Sequence, residues 1–432
     1  MGALFEPSEI NGMVLANRFI RSATWAGMAT DAGACTPQLI DLMGDLAAGG
    51  VGLIITGHAY VRLDGQHTPR QLGLHRDNLI PELQDLTQSV HHHGGKIVAQ
   101  LGFGGAYLSR ARVRRMSGQD FKKLAEDYGQ AAVRAQKAGF DGVQIFAAHG
   151  FFLSQTLCPR YNDRTDEYGG DINGRARALL QIQEAVRKAV GRDFPVLVKL
   201  NARDFVENGL TLNDSIRVGI MLEEAGIDAI EISGGLLNNP NIMQSKIDDE
   251  GAGAYFLSEA RAFREKIDVP LILVGGIRSY ETARRLVEEG IVDYISMSRP
   301  FIREPGLVNR WQDGDRREAA CISCDNCFEP LKKGDGVSCR PLEPEPAETF
   351  FPQLSTSVPA SPPHPPVTSY IISIGLQDWG SNYGPVIKIQ MSHDGETLAH
   401  SPSFPLGSWD HLEVTRAIDD LLAKHNNSSI TG

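Results

Sequence analysis

Gly139-Phe140-Asp141-Gly142-Val143-Gln144-Ile145-Phe146-Ala147-Ala148-His149-Gly150 is the stretch whose reading decides the fold. It is a short, nearly continuous apolar run, as a strand buried on both faces requires, and it ends in a loop presenting one histidine. Barrel enzymes place their chemistry at the C-terminal ends of buried parallel strands, which makes His149 the candidate catalytic residue. The plainer alternative is a histidine that hydrogen-bonds a neighbouring loop. Just downstream, Pro159-Arg160-Tyr161-Asn162-Asp163-Arg164-Thr165-Asp166-Glu167-Tyr168-Gly169-Gly170 is too dense in polar groups to be a plain linker.

Seven further apolar runs flank this one: Asn17–Thr24, Val51–Thr56, Lys96–Leu101, Val196–Leu200, Ile227–Ser233, Leu271–Gly276 and Val292–Met297. Helical patterns lie between them, among them Leu124–Ala135, Ala176–Val190 and a segment from Asn213 to Ala225 that reads as capped by Asn213. Eight strand–helix alternations predict an α/β chain, a (β/α)8 TIM barrel over residues 1–318, in preference to an open doubly wound sheet. Residues 319–340 form a cysteine segment, and 341–366, rich in proline, read as an extended linker. Residues 367–425 read as a small C-terminal α+β module with strands at Ser369–Leu376 and Val386–Met391 and a helix at Leu412–Lys424.

The 432 residues are 42% hydrophobic and 22% charged, with a formal net charge of −11. That balance is globular, and the charge argues against nucleic acid or an anionic membrane as partners. No apolar run approaches the roughly 20 residues of a membrane span. The N-terminal residues lack the basic and apolar regions of a signal peptide, so a reducing cytoplasm is the expected setting.

Three constellations carry chemistry. Gly275-Gly276 and Ser298-Arg299 end the last two strands, where barrels commonly hold a phosphate: glycines let backbone N–H groups approach, and an arginine can fork onto the anion. Turn glycines and a surface arginine are the alternative. Gln100 and Lys199 end the third and fifth strands. A buried lysine is costly unless paired with an anion or a ligand carbonyl, and Glu231 is a candidate partner. A flavin suits both residues, the amide on its pyrimidine edge and the cation near N1. Cys321, Cys324, Cys327 and Cys339 have C-x2-C-x2-C-x11-C spacing, which suits a 4Fe-4S cluster, with zinc as the alternative.

These residues together resemble the old yellow enzyme family of FMN-dependent barrel oxidoreductases, most closely the branch with 2,4-dienoyl-CoA reductase and trimethylamine dehydrogenase. The resemblance covers residues 3–340. It implies that Ser22, Ala23, Thr24 and Gly57 line FMN, that Gln100 and Lys199 lie on its pyrimidine side, and that Gly275, Gly276, Ser298 and Arg299 hold its phosphate. The cysteines would ligate the cluster, and Trp25, Phe103, Phe146 and Phe151 would line the substrate pocket. NAD(P)H, or a redox partner protein through the cluster, would supply electrons for hydride transfer to a small, hydrophobic substrate such as an activated alkene. A homo-oligomer is a further expectation.

The departures are equally specific. The family's substrate-gripping pair, three residues apart, reads Phe146 and His149. Its tyrosine proton donor reads Phe151, and its Q-L-x-H pattern reads Gln100-Leu101-Gly102-Phe103. The segment after Phe103 is shorter than the family's substrate-covering loop. Two readings follow: an FMN oxidoreductase whose surviving polar contact is His149, and a flavin and iron–sulfur electron-transfer or binding protein without ene-reductase activity.

Overall fold

The stretch around Gln144 forms a strand, Gly142–Ala147, in which every residue is buried. Parallel neighbours flank it, with Val98 opposite Gly142 on one side and Val143 opposite Val196 on the other. Both edges and both faces are covered, so the sequence shows no clean alternation. The computed structural model describes residues 3–104, 110–236, 253–340, 350–378, 383–394, 396–397, 404 and 408–428. They fall into two compact units, Met1–Arg340 and Pro341–Gly432.

In the first unit the strands are β1 (Ser8–Ile10), β2 (Met13–Leu15), β3 (Phe19–Arg21), β4 (Leu53–Ile55), β5 (Ala59–Tyr60) and β6 (Lys96–Gly102). They continue as β7 (Gly142–Ala147), β8 (Val196–Asn201), β9 (Ala229–Ser233), β10 (Leu271–Val274) and β11 (Tyr294–Met297). The order β4-β3-β11-β10-β9-β8-β7-β6 closes on itself through β4 and β6, with β5 beside β6. This is the (β/α)8 barrel that the alternation predicts.

Inside, Ile20, Leu53, Ile55, Val98, Leu197, Ala229, Ile272 and Tyr294 pack with Ile10, Met13 and Leu15 of the β1–β2 hairpin. Tyr294 opens β11, and its hydroxyl donates to the Glu9 carbonyl at 3.2 Å, so the hairpin plugs the N-terminal mouth. The C-terminal end is left for a site.

Side-chain caps fix where the outer helices begin. Thr36 starts Pro37–Ala48, Ser117 and Asp120 form a capping box on Gly118–Lys137, and Asp171 and Ser279 start Ile172–Val190 and Tyr280–Glu288. Thr211, rather than Asn213, caps Leu212–Glu224, because its side chain accepts from the Asp214 N–H. The polar stretch after β7 is an internal brace. Asn162 donates to the carbonyls of Thr156 and Tyr168 at 2.7 and 2.8 Å, and Tyr168 stacks on Phe121 at 4.2 Å. Arg164 donates to the carbonyls of Val113 and Met116.

The second unit is an antiparallel sheet of β12 (Phe350–Pro359), β13 (Thr368–Asp378), β14 (Tyr383–His393) and β15 (Glu396–Thr397), with a helix at Asp410–Ser428. The expected linker 341–366 therefore needs correction, since part of it is β12. Leu354, Thr356 and Val358 keep a period of two despite the prolines, which fall at a register shift, Pro352, and at the strand end, Pro359. Val358, Tyr370, Ile372, Ile374, Met391, Val414 and Leu421 form this unit's core.

Candidate functional site

Two residues along each strand from the apolar layer, the next inward-facing set is polar, because side chains repeat every second residue. Ile20 leads to Ser22, Val98 to Gln100, Leu197 to Lys199, Ala229 to Glu231 and Tyr294 to Ser296. Gln144 stands opposite Gln100 in the β6–β7 register. All six are buried.

Their hydrogen bonds converge on Glu231. Lys199 Nζ donates to Glu231 Oε1 at 3.1 Å and to Ser22 Oγ at 2.7 Å, and Ser22 Oγ passes a bond to the same carboxylate at 2.7 Å. Ser296 Oγ donates to Oε1 at 2.9 Å and Gln144 Nε2 to Oε2 at 2.8 Å, while Gln100 Nε2 donates to Gln144 Oε1 at 2.7 Å. Burial opposes ionisation of Glu231, but Lys199 and these donors outweigh it and hold the carboxyl below its ordinary range. The anticipated Lys199–Glu231 pair is thus present. Gln144 and Ser296 are partners that the sequence alone does not single out.

Above this layer the surroundings are aromatic. Phe146, one step above Gln144 on the same inward face, packs with Ala148 and Phe151 as a separate cluster, the two rings 4.6 Å apart. His58 lies 4.9 Å from the Phe151 ring and 5.9 Å from that of Phe146, and His67 lies 5.2 Å from Phe151. The His149 ring lies edge-on to Phe146, centroids 5.9 Å apart. His149 has a positive φ of 60°, donates from its own N–H to Asn201 Oδ1 at 3.1 Å, and meets Ser233 Oγ at 2.6 Å through Nε2.

Burial, reinforced by the Lys199 charge, pushes the His149 pKa down to about 3. Burial with help from His67 does the same for His58. Both are neutral imidazoles near pH 7. Sequence reasoning missed His58 and His67. Both sit in the segment after β4, and the one signal was a histidine just past the apolar run Val51–Thr56.

Phe103 does not join this cluster. It packs in the outer core against Phe152, centroids 5.3 Å apart, with the Arg62 guanidinium 4.8 Å above its ring. One residue past the inward-facing Gly102, its direction is reversed. Trp25 is partly buried, and its indole Nε1 has no hydrogen-bond partner among the described residues.

At the other candidate edge, Gly275 and Gly276 adopt φ of 122° and 76°. A Cβ at Gly276 would fall 2.5 Å from the Tyr255 ring, so both the conformation and the space call for glycine there. Thr24 Oγ1 and Ser298 Oγ are 2.6 Å apart, joining the loops after β3 and β11. A Cβ at Gly57 would lie 2.7 Å from the Thr24 carbonyl, which brings the loop after β4 against the same place. Arg299 pairs with Asp325 at 2.7 Å and donates to the Ser323 carbonyl at 3.3 Å and to Tyr255 Oη at 3.5 Å. The arginine is therefore tied to the cysteine segment.

That segment lies on the barrel through Leu331 and Val337, whose N–H donates to the Ala26 carbonyl at 2.8 Å. Cys321, Cys324, Cys327 and Cys339 are free thiols, and burial, followed by the Asp325 and Cys321 charges, pushes the Cys327 thiol up to about 11. Arg303 Nη1 lies 3.8 Å from Cys339 Sγ. Among the described residues, no three His, Cys, Asp or Glu side chains are gathered to hold a metal ion. The spacing puts the thiols in one segment without a common coordination sphere.

Residues 3–114 and 108–318 match the NADH:flavin oxidoreductase / NADH oxidase family. The chain is 30% identical over 345 residues to an NADH oxidase of Thermoanaerobacter brockii, covering 74% of this chain and 52% of that protein. It is 32% identical over 320 residues to an NADPH dehydrogenase of Bacillus subtilis (strain 168), covering 70% and 92%. Among solved structures it is similar to an old yellow enzyme homologue from Zymomonas mobilis, with a TM-score of 0.60 and 25% identity, covering 73% and 94%. The chain spans about half the length of the first curated relatives it matches.

Proposed function

The chain belongs to the NADH:flavin oxidoreductase / NADH oxidase family, and from that premise we propose an FMN-dependent oxidoreductase that passes hydride from NAD(P)H to a small, hydrophobic, activated alkene. The observation that carries this reading is the polar layer toward the C-terminal ends of the strands, where a buried lysine and two buried amides lie one side-chain layer beyond the apolar floor. The residues fit a flavin: Gln100 and Lys199 supply an amide and a cation, Gly275 and Gly276 permit close backbone approach, and Arg299 with Ser298 supplies anion donors. FMN, when bound, supplies two-electron hydride transfer between the nicotinamide and the alkene. The protein's part would be to hold a cation of fixed position, since Glu231 and Ser22 pin Lys199, and to offer the substrate the apolar rings of Phe146 and Phe151.

The cysteine spacing supports a 4Fe-4S cluster, with zinc as the alternative, at Cys321, Cys324, Cys327 and Cys339. Among the described residues no three candidate ligands are gathered for it. Iron and acid-labile sulfide in the anaerobically purified protein would establish the cluster. No described helix is long and apolar enough to cross a membrane, and the cytoplasm remains the proposed location.

Anaerobic reduction by NADPH or NADH, followed by mixing with 2-cyclohexenone, tests the reading. Rapid return of the oxidised flavin spectrum is expected. A reduced protein that no enone, dienoyl thioester or cinnamic derivative reoxidises defeats it. Reoxidation only by a protein acceptor would favour an electron-transfer role, the second reading, to which the phenylalanines at 146 and 151 point.

A further inference from the structure

His58 is 8% exposed, and among the described residues its Nε2 has no hydrogen-bond partner. A buried polar atom left unmade costs about 1–3 kcal/mol, so a fold that keeps one next to its proposed site has a use for it or is waiting for a partner. Its position is held from several sides. The His58 carbonyl accepts from Gln71 Nε2 at 3.0 Å, and Gln71 Oε1 in turn accepts from the His67 N–H at 2.8 Å, so one fully buried glutamine ties both histidine-bearing turns together. Beneath it lies Gly102, the inward-facing end of β6, where a Cβ would come 3.3 Å from His58 Cβ and 3.7 Å from Phe146 Cδ1. The His58 Cβ therefore lies against a position with no side chain, and the imidazole packs against the rings of Phe146 and Phe151. It follows Gly57 directly, at the strand end proposed to line the flavin.

We propose that His58 is a catalytic residue that takes the place of the polar partner missing at Phe146, its Nε2–H donating a hydrogen bond to the carbonyl oxygen that activates the alkene. The inference rests on the ene-reductase reading and takes from it the substrate, an alkene conjugated to a carbonyl group. FMN, if bound and reduced by NAD(P)H, would supply the hydride for the new C–H bond at the β-carbon. The alkene π pair shifts toward the carbonyl, and its oxygen gains negative charge against the His58 N–H. A proton from water then forms the C–H bond at the α-carbon, the carbonyl is restored, and NAD(P)+ and the saturated carbonyl compound leave. A donor aimed at an oxygen that gains charge only in the transition state raises turnover by about 100- to 1000-fold, whatever strand carries it.

The experiment compares the flavin-loaded wild type with His58→Leu and His58→Asn. It measures the ratio of reoxidation rates with 2-cyclohexenone and with ferricyanide, which accepts electrons without a carbonyl to hold. The expected ratio falls about 100-fold in His58→Leu, mostly in kcat, and His58→Asn recovers at least tenfold of the loss because its amide can donate. A second readout uses no turnover: with 15N-labelled histidine, the His58 Nε2 resonance of the oxidised wild type should move when saturated cyclohexanone is added. A ratio within threefold of wild type in both variants, with an unmoved resonance, overturns the proposal and leaves the general reading standing. A wild type that reduces no enone removes the reading and the His58 role together. If His58→Leu does not fold, His58→Asn and the resonance decide.

Discussion

The middle and the top of the barrel interior lie one side-chain layer apart and treat polar groups in opposite ways. In the middle, Glu231 accepts from Lys199, Ser22, Ser296 and Gln144, so a buried charge pair is fully paid for within the protein. At the top, His58 Nε2 is buried without a partner among the described residues, beside phenylalanines that can offer only ring faces. A closed network fixes a charge in place whether or not anything is bound. An open one has bonds to give. The difference separates a platform, whose job is positional, from a face that recognises something.

The largest effect should come from breaking the platform. Glu231→Ala strands the Lys199 cation in the interior, and removing one member of a buried pair costs about 3–5 kcal/mol. Urea denaturation should show that loss, and a Lys199→Met, Glu231→Leu double variant should regain much of it while losing flavin affinity. A Glu231→Ala protein of wild-type stability would mean that water reaches the layer and that the comparison of closed with open is wrong.

How far this was legible in the sequence follows from the same geometry. Ser22, Gln100 and Lys199 can be named because each is polar in an apolar run, and Glu231 can be named as a partner. Gln144 and Ser296 are equally polar within apolar runs, but their bonds to Glu231 depend on how the strands sit side by side, and no single strand contains that. The inward direction of Phe146 follows from Gln144 two residues earlier, whereas Phe103 was misplaced by one residue of parity. His58 and His67 were missed because Gln71 brings their turns together, a contact between loops with no period. In the second unit, β12 was hidden by composition: prolines mark a linker when counted and a strand end or a shift in register when placed.

Acid should sharpen the contrast next. Burial, then His67, holds His58 near a pKa of about 3, while an unfolded chain would titrate it near 6.5. Between those values the unfolded state carries a proton that the folded state lacks, so stability rises with pH. The contribution is complete above about 6.5 and is lost as pH falls toward 3, with a slope of up to about 1.4 kcal/mol per pH unit. Glu231 differs: its depressed carboxyl contributes stability above its unfolded value and loses it only as pH falls below the carboxylate range. Urea midpoints from pH 7.5 to 5 should therefore slope less in His58→Leu than in wild type. Equal slopes would mean that the His58 ring already has water on Nε2 and is not an open donor.

The smallest change tests capacity directly. Phe151→Tyr adds one oxygen to a ring that is 4% exposed and packed 4.9 Å from His58 and 5.2 Å from His67. A buried hydroxyl that finds a partner is worth about 0.5–1.5 kcal/mol, and one that does not costs about 1–3. Because His58 Nε2 has a bond to give, the expected outcome is a variant within about 1 kcal/mol of wild type in urea, on the stable side. Destabilisation of 2 kcal/mol or more would show that the ring faces hold the imidazole so tightly that its nitrogen cannot turn to an oxygen. The middle layer could not pass such a test, since each Glu231 oxygen is already taken. A favourable sign for one added oxygen at the top is thus a reading of recognition that needs neither cofactor nor substrate.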